Sequence, residues 1–312
     1  MFHFVNAPLV FSFIVSYNIA AMIKRRIVEF LEYLETKKRR ASRTVRNYDL
    51  YLKRFRSFAD AKKVIDVSDI TSDAIAKYQA WLRAFVVDKK QIKSNTINYH
   101  LIALRAFLKY LVHKKLLFLS PAKVRLNRHE RGVMVCLCKP EMEKLLKAPF
   151  QFASDKIIQM RDLAILELLF CTGMKVSELA GLKKPDINVG KRQVVVHRGE
   201  EKERAIAITN QAAYSVTQYL NARRDDVPAL FIGHDRTLVS RKTKKSLGAL
   251  TGRSIERIVE KYARLCGINI RVTPQVIRNT FAARQVKRGT LQEGLQSELG
   301  CLSANTAKRF FE

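Results

Sequence analysis

Apolar residues recur at helical spacing in four successive stretches of the first third of the chain, and this periodicity constrains the fold most. The stretches cover residues 23–37, 42–58, 72–85 and 94–111, and in each the apolar positions fall on one helix face. Because such faces are stable only when another helix covers them, the pattern predicts a small helical bundle. The hydroxyl of Ser42 is predicted to cap the second helix.

A change of composition between residues 120 and 133 divides the chain. This segment is rich in Pro, Lys, Arg and Asn and has little apolar periodicity, so we interpret it as an exposed linker between domains. Helices are predicted again beyond it, beginning near Lys139, Arg161, Gln211, Ser254 and Thr273.

One part of the second half is predicted to be β-structure. Residues 193–197 and 205–208 are rich in Val, Ile and Ala, and a charged turn separates them, which is the pattern of a β-hairpin. The predicted fold class is therefore mainly α with a small antiparallel sheet. A chain of 312 residues is long enough for two domains. We assign residues 22–119 to the first and 134–312 to the second.

The net charge indicates the class of partner. The chain has 58 Lys and Arg against 28 Asp and Glu, a net charge of +30, which exceeds what solubility requires. The excess is +18 between Lys24 and Lys147 and +12 between Ala148 and Glu312. Basic surfaces on both domains favour double-stranded DNA as the partner, since its phosphates can be contacted from two sides with release of counterions.

The number and spacing of the five cysteines predict reduced thiols. Cys136 and Cys138 are separated by one residue, and no paired Cys or His cluster follows them, so we expect no zinc and no other metal. Reduced thiols are typical of the cytoplasm, the compartment that we predict. The sequence contains no Walker A, GxGxxG or HExxH motif, and no small-molecule cofactor is expected.

Residues 1–21 differ from the rest of the chain because they contain no Lys, Arg, Asp or Glu. Since about 20 apolar residues can span a bilayer, one interpretation is a membrane anchor on a basic structural protein. Polar residues and a proline weaken such a span, and Met22 begins a clean amphipathic helix. We therefore interpret the segment as an extension upstream of a start at Met22, and we expect no membrane partner.

Three motifs in the second half resemble the signature boxes of the tyrosine recombinases, the phage-integrase and Xer group. Residues 161–179 resemble the first box, residues 273–282 the second and residues 299–306 the third. Residues 22–119 are similar to the core-binding, SAM-like domain of that family. The resemblance implies two domains that close as a C-shaped clamp around DNA.

The family's chemistry requires few groups. A Tyr hydroxyl attacks the scissile phosphate, two Arg hold its oxygens, a Lys on the hairpin protonates the leaving oxygen, and His residues assist. The resemblance places Arg278 unchanged at one Arg position and Lys175 at the other, where a Lys keeps the charge but loses the planar fork. Lys202 is the candidate for the hairpin Lys, with a solvated turn charge as the alternative.

The remaining catalytic positions depart from the family pattern. Gln275 stands at one His position, where an amide can hydrogen-bond but cannot exchange a proton, and Cys301 stands at another. Phe310 stands at the nucleophile position and has no nucleophilic oxygen, while the last tyrosine of the chain is Tyr262. We therefore expect impaired strand cleavage. We also expect the second domain to be truncated, without the tail that family members dock on a neighbouring protomer.

The sequence is compatible with three functions. The preferred one is a DNA-binding relative of the recombinases that does not cut, with double-stranded DNA and other recombinase protomers as partners. The alternatives are an active site-specific recombinase with unusual catalytic residues and the membrane-tethered structural protein. The residues expected to contact DNA phosphates are Arg43, Arg46, Lys53, Arg54, Lys93, Arg105, Lys109, Arg198 and Arg204.

Overall fold

The computed structural model describes residues 23–64, 66–128, 133–153, 155–198, 202–234, 248–300 and 307–311. Residues 1–21 and Cys301 lie outside the described residues, and so do the side chains of Arg198 and Lys202. The chain divides into two compact units, Met1–Gly132 and Val133–Glu312.

The first unit is a helical bundle, as the periodicity predicts. Its core consists of large apolar side chains such as Phe55, Leu104 and Phe107, which are almost completely buried. Aromatic rings pack in this core, with Phe30 lying 5.6 Å from Phe107 between ring centroids. The helices are α1 (residues 23–36), α2 (Ser42–Ala61), α3 (Ser72–Ala84) and α4 (Ser94–His113).

The prediction that Ser42 caps α2 is wrong. Ser42 is the first residue inside the helix, and the preceding residue, Ala41, has no side-chain capping bond. At the next helix the hydroxyl of Thr71 accepts from the amide of Ala74, so the cap precedes Ser72 by one position. A Ser near a helix start can stand at the cap or just after it, and the sequence pattern alone does not distinguish the two.

A short hairpin after α3 was not predicted. The strands β1 (Val86–Val87) and β2 (Lys90–Gln91) pair antiparallel. Asp88 and Lys89 between them have φ angles of 49° and 63°. Two-residue hairpin turns usually need Asn-Gly or a similar pair for this backbone conformation, so Asp-Lys gave no turn signal.

Part of the segment predicted as an exposed linker packs against the first unit. Val124 is fully buried in the core of that unit. The side chain of Asn98 accepts from the amide of Asn127 at 2.8 Å and donates to its carbonyl at 3.1 Å. Gln79 donates to the carbonyl of Arg125 at 2.7 Å. Residues 124–127 therefore belong physically to the first unit.

In its described residues, the second unit combines helices with a small sheet. Strands β3 (Ile187–Asn188), β4 (Gln193–Arg198) and β5 (Lys202–Ala207) form an antiparallel sheet in the order β3-β4-β5. The predicted fold class, mainly α with a small antiparallel sheet, is confirmed. The helices are α5 (Lys139–Phe152), α6 (Lys156–Thr172), α7 (Val176–Gly181), α8 (Asn210–Ala222), α9 (Gly252–Leu265), α10 (Pro274–Lys287) and α11 (Gln292–Leu299).

Helix α6 lies at the centre of the second unit. Residues 161–169 of α6 are all buried, including Arg161, Asp162 and Glu167. A helix that is buried on all sides is surrounded by other elements, and α5, α8 and α10 all pack on it. The helix ends at Gly173, whose φ of 57° is the left-handed conformation common at helix ends. The first signature box thus begins in the core and emerges at a helix end.

No helix in the described part of the chain combines the length and apolarity that a bilayer span requires. The membrane-tethered interpretation concerned residues 1–21, which are not among the described residues.

The bundle core yields a stability prediction. Phe107 is fully buried, whereas Phe118 is 95% exposed. Phe107→Ala should lower the free energy of unfolding by about 3–5 kcal/mol because it leaves a cavity. Phe118→Ala, the matched control, should change it by less than about 0.5 kcal/mol. Urea unfolding followed by the fluorescence of the single tryptophan, Trp81 in α3, measures both. Equal midpoints for the two variants would contradict the assigned core.

Candidate functional site

The side chain of Arg278 connects the three signature boxes. It is 5% exposed and projects from α10, in the second box. Its Nη1 donates to the carbonyl of Gly173 at 2.5 Å, and its Nη2 donates to the carbonyl of Leu299 at 2.8 Å. These carbonyls lie at the ends of α6 and α11, where backbone oxygens lack partners and helix dipoles favour a cation. The bond between Arg278 and Gly173 therefore spans 105 positions of the sequence.

Gly173 allows the first box to approach α10 closely. Besides its positive φ, a Cβ on Gly173 would lie 2.4 Å from Cδ1 of Phe281, which is closer than any real contact. Phe281 follows Arg278 by three residues in the same helix. The absence of a side chain at Gly173 thus lets its carbonyl reach Arg278.

Lys175 stands at the start of α7, and its backbone amide is capped by a side chain of that helix. Its amide donates to Oε2 of Glu178 at 2.7 Å, and the same oxygen accepts from Nη2 of Arg204 at 3.0 Å. Glu178 was not among the predicted site residues. An acidic residue three positions after a helix cap is a recognisable capping pattern, so the sequence carried a signal for it.

Arg204, predicted to contact phosphate, lies largely inside the second unit. Its side chain is 19% exposed and forms an ion pair with Glu178, which is 8% exposed. It also lies directly against Gly300, at the end of α11. The arginine is therefore part of the site that Arg278 organises.

Gln275 is engaged with a neighbouring amide. Its side chain is exposed, and its Nε2 donates to Oδ1 of Asn279 at 2.9 Å. Asn279 in turn donates to the carbonyl of Val135 at 3.1 Å. The residue predicted to stand at a family His position is thus an amide held by the next helical turn. The contribution of Asn279 could not be predicted, because its partner is 144 residues away.

Phe310 packs against the helices around Arg278. Its half-buried ring contacts an apolar cluster that includes Phe281, Leu295 and Leu299. Its backbone amide donates to the carbonyl of Ala307 at 3.0 Å. The residue predicted to stand at the nucleophile position is thus held by apolar contacts.

Lys202 is paired with Arg198 in the strand register, at the last pair of the β4–β5 ladder before the turn. This places the backbone of the candidate hairpin Lys at the tip of the sheet.

Tyr262, the last tyrosine of the chain, packs in the core of the second unit. It is fully buried, and its hydroxyl donates to Oδ2 of Asp162 at 2.9 Å. Burial raises the pKa of Tyr262 well above its usual value, and the neighbouring Asp162 acts in the same direction. Asp162 also forms an ion pair with Arg161 at 2.7 Å. A hydroxyl held in this way is not available to attack a phosphate.

The other basic residues predicted to contact DNA fall into two groups. Arg54 donates to Nε2 of His100 at 3.0 Å and lies 5.1 Å from the ring centre of Phe85, while Arg105 donates to the carbonyl of Val124. These two side chains have partners inside the first unit. The exposed group consists of Arg43, Arg46, Lys53, Lys93 and Lys109, of which Lys53 pairs with Asp49.

Within the described residues, no three His, Cys, Asp or Glu side chains are grouped so that they could hold a metal ion. The described cysteines, Cys136, Cys138, Cys171 and Cys266, are free thiols. Burial raises the pKa of Cys171 to about 11, so this thiol stays protonated at neutral pH.

Comparison with known proteins identifies the family. The phage integrase family matches residues 136–311, and the phage integrase N-terminal SAM-like domain matches residues 27–115. The chain therefore belongs to the phage integrase family, the tyrosine recombinases, and its function lies in site-specific DNA recombination. The predicted resemblance is confirmed.

Relatives match over nearly the whole chain. The tyrosine recombinase XerC of Myxococcus xanthus is 30% identical over 283 residues, covering 90% of this chain and 91% of that protein. XerC of Bacillus subtilis is 29% identical over 288 residues, covering 89% and 88%.

Solved structures share the fold. The XerH site-specific recombinase bound to its difH substrate, in a pre-cleavage complex, has a TM-score of 0.64 and 17% identity, with coverage of 86% of this chain and 76% of that chain. A tyrosine-to-phenylalanine variant of the Tn1549 transposon integrase, in complex with transposon right end DNA, has a TM-score of 0.67 and 17% identity, with coverage of 92% and 94%.

The close approach at Gly173 can be tested by substitution. Gly173→Ala should lower the stability of the second unit by roughly 2–4 kcal/mol, since it adds both a left-handed backbone penalty and a clash with Phe281. Gly181→Ala is the matched control, because nothing lies within 4 Å of a Cβ at Gly181. Calorimetric unfolding of the full chain measures both changes. A tolerated Gly173→Ala would refute the proposed approach of the first box to α10.

Proposed function

We propose that the protein binds duplex DNA as a tyrosine recombinase homologue and does not cut it by itself. The observation that carries this proposal is Phe310, which occupies the nucleophile position and packs against the cluster beside Arg278. A phenyl ring cannot form the phosphotyrosine bond on which strand exchange in this family depends. The protein would act as an accessory or as a competitor at recombination sites.

Binding of phosphate is the part of the chemistry for which the chain keeps suitable groups. Arg278 is held by two carbonyl oxygens, and Lys175 keeps a positive charge at the second Arg position. Because a Lys lacks the planar fork of an Arg, it holds a phosphate less firmly and stabilises a transition state less. This combination favours a site that still attracts a phosphate.

Proton transfer is less well supported. The amide of Gln275 cannot act as a general acid or base near neutral pH, and it is hydrogen-bonded to Asn279. Tyr262 is buried and bonded to Asp162, so it does not replace the missing hydroxyl. These features together favour loss of cleavage over an active enzyme with unusual groups.

The partners that we propose are duplex DNA and other recombinase protomers. The net charge of +30 supports a polyanionic partner. Among proteins of the same fold, XerH is bound to its difH substrate, and the lambda integrase is a dimer bound to a core site. We also propose that the protein resides in the cytoplasm, because its proposed partner is DNA and its described cysteines are free thiols.

Salt dependence tests the binding proposal. Affinity for a duplex of about 40 base pairs should fall roughly 10³-fold or more between 50 and 200 mM salt if at least six phosphates are contacted. Replacing Arg43 and Arg46 by Gln should reduce the slope of log K against log salt by about 2. Lys62 and Lys63, at the other end of α2, provide a control with the same charge loss. An equal loss of slope in that control would contradict the assigned contact surface.

Cleavage is tested with nicked substrates. Duplexes enriched for binding from a randomised pool are nicked, incubated with the protein and run on denaturing gels. We expect no covalent protein–DNA band from the wild type or from F310Y, because Lys175, Gln275 and Cys301 still lack the family's groups. The fourfold variant K175R/Q275H/C301H/F310Y should form the band.

Two outcomes would change this conclusion. A covalent band from the wild type would refute the proposal of a non-cutting protein. A band from F310Y alone would show that the phenol is the only missing group and that Lys175 with Arg278 is sufficient for cleavage.

A further inference from the structure

Arg204 has contacts with two of the signature boxes at once. Its Nη2 donates to Glu178, which also accepts from the amide of Lys175. On its other side, an ideal Cβ built on Gly300 would lie 1.6 Å from Nη1 of Arg204 and 2.7 Å from its Cζ. The guanidinium therefore lies between the start of α7 and the end of α11.

Gly300 is required at this position for two reasons. Its φ is 59°, which favours glycine, and any side chain would occupy the space of the Arg204 guanidinium. The carbonyl oxygen of the preceding residue, Leu299, accepts a hydrogen bond from Arg278. Arg204 and Arg278 thus contact adjacent residues at the end of α11, and each also connects that end to the first box.

Charge gives Arg204 a second effect. Glu178 is 8% exposed and lies three residues from Lys175, so its carboxylate would repel a phosphate bound there. The ion pair with Arg204 neutralises this carboxylate within the protein. Removing the arginine would leave a buried and uncompensated negative charge beside the phosphate-binding groups.

We propose that Arg204 is a positioning residue of this site. It connects strand β5 to the first and third boxes and neutralises the charge of Glu178. As a result, Lys175 and Arg278 face a DNA phosphate together. It acts through Glu178 and Gly300 and does not itself contact the phosphate. Only the part of this proposal that concerns DNA binding rests on the proposed function. The connection between the boxes exists without DNA.

The first measurement is hydrogen exchange of the full chain without DNA. In R204M, exchange should be about tenfold faster in residues 174–180 and 292–300, since both segments lose a contact, and unchanged in the first unit. Arg192 provides the matched control, because it is an exposed arginine at the base of the same sheet that donates to Asn210. R192M should leave both segments unchanged. Equal exchange in R204M and R192M would overturn the proposal.

The second measurement is affinity for a 40-base-pair duplex at fixed salt. R204M should bind about tenfold more weakly than R192M, although each variant loses one positive charge. Adding E178Q to R204M removes the unpaired carboxylate and should recover most of the affinity, while exchange in residues 292–300 stays fast. A folded double variant that binds as weakly as R204M would overturn the electrostatic part.

Two further variants keep the test decisive. If R204M does not fold, R204K retains the charge without the fork, and its exchange in residues 292–300 should still be faster than in the wild type. In E178Q alone, exchange in residues 292–300 should stay slower than in R204M, because an amide oxygen can still accept from Arg204. Exchange as fast as in R204M would contradict the proposal. If the wild type binds no duplex, the proposed function fails, whereas the exchange measurement still tests Arg204.

Discussion

The second unit depends on the two hydrogen bonds that Arg278 donates to the carbonyls of Gly173 and Leu299. A buried guanidinium is unfavourable unless it is hydrogen-bonded, and here the ends of two helices each accept one bond from it. The same bonds fix where α6 and α11 end relative to α10. Gly173 makes this possible because it has no side chain to collide with Phe281. The residue that we propose to bind a phosphate therefore also determines the packing of these helices.

Much of the fold follows from local sequence signals. The helices of the first unit and the β4–β5 hairpin could be predicted, since apolar periodicity directly reports which face is buried. Strand β5 nevertheless begins at Lys202, within the segment predicted as a charged turn. The errors occur where the signal is short or ambiguous. Ser42 stands inside the helix that it was expected to cap, and the hairpin after α3 turns at Asp88 and Lys89, which are not typical residues for that turn. Strand β3 has only two residues, too few for an alternation to show.

Residues of the candidate site could be predicted where a motif specifies their position. They could not be predicted where their role depends on contact with a residue far away in the sequence. Arg278 and Lys175 are assigned by their positions within the boxes, and Phe310 is assigned by its spacing from the third box. The contact of Arg204 with Gly300 joins a strand to a helix end, and that of Asn279 with Val135 spans 144 residues. Such contacts exist only once the tertiary fold has formed. A single sequence contains the residues but not their proximity.

The apolar contacts of Phe310 determine whether a tyrosine and a phenylalanine can replace each other at this position without loss of folding. A phenyl ring makes the same contacts with Phe281, Leu295 and Leu299 as the ring of a tyrosine would. Exchange between the two residues is nearly isosteric, so the loss of one oxygen atom leaves the packing intact. Under the proposed assignment of Phe310 to the nucleophile position, folding and chemistry are separable there. A lineage can lose the reaction in one mutational step while the chain continues to fold and to be retained for whatever its surface binds.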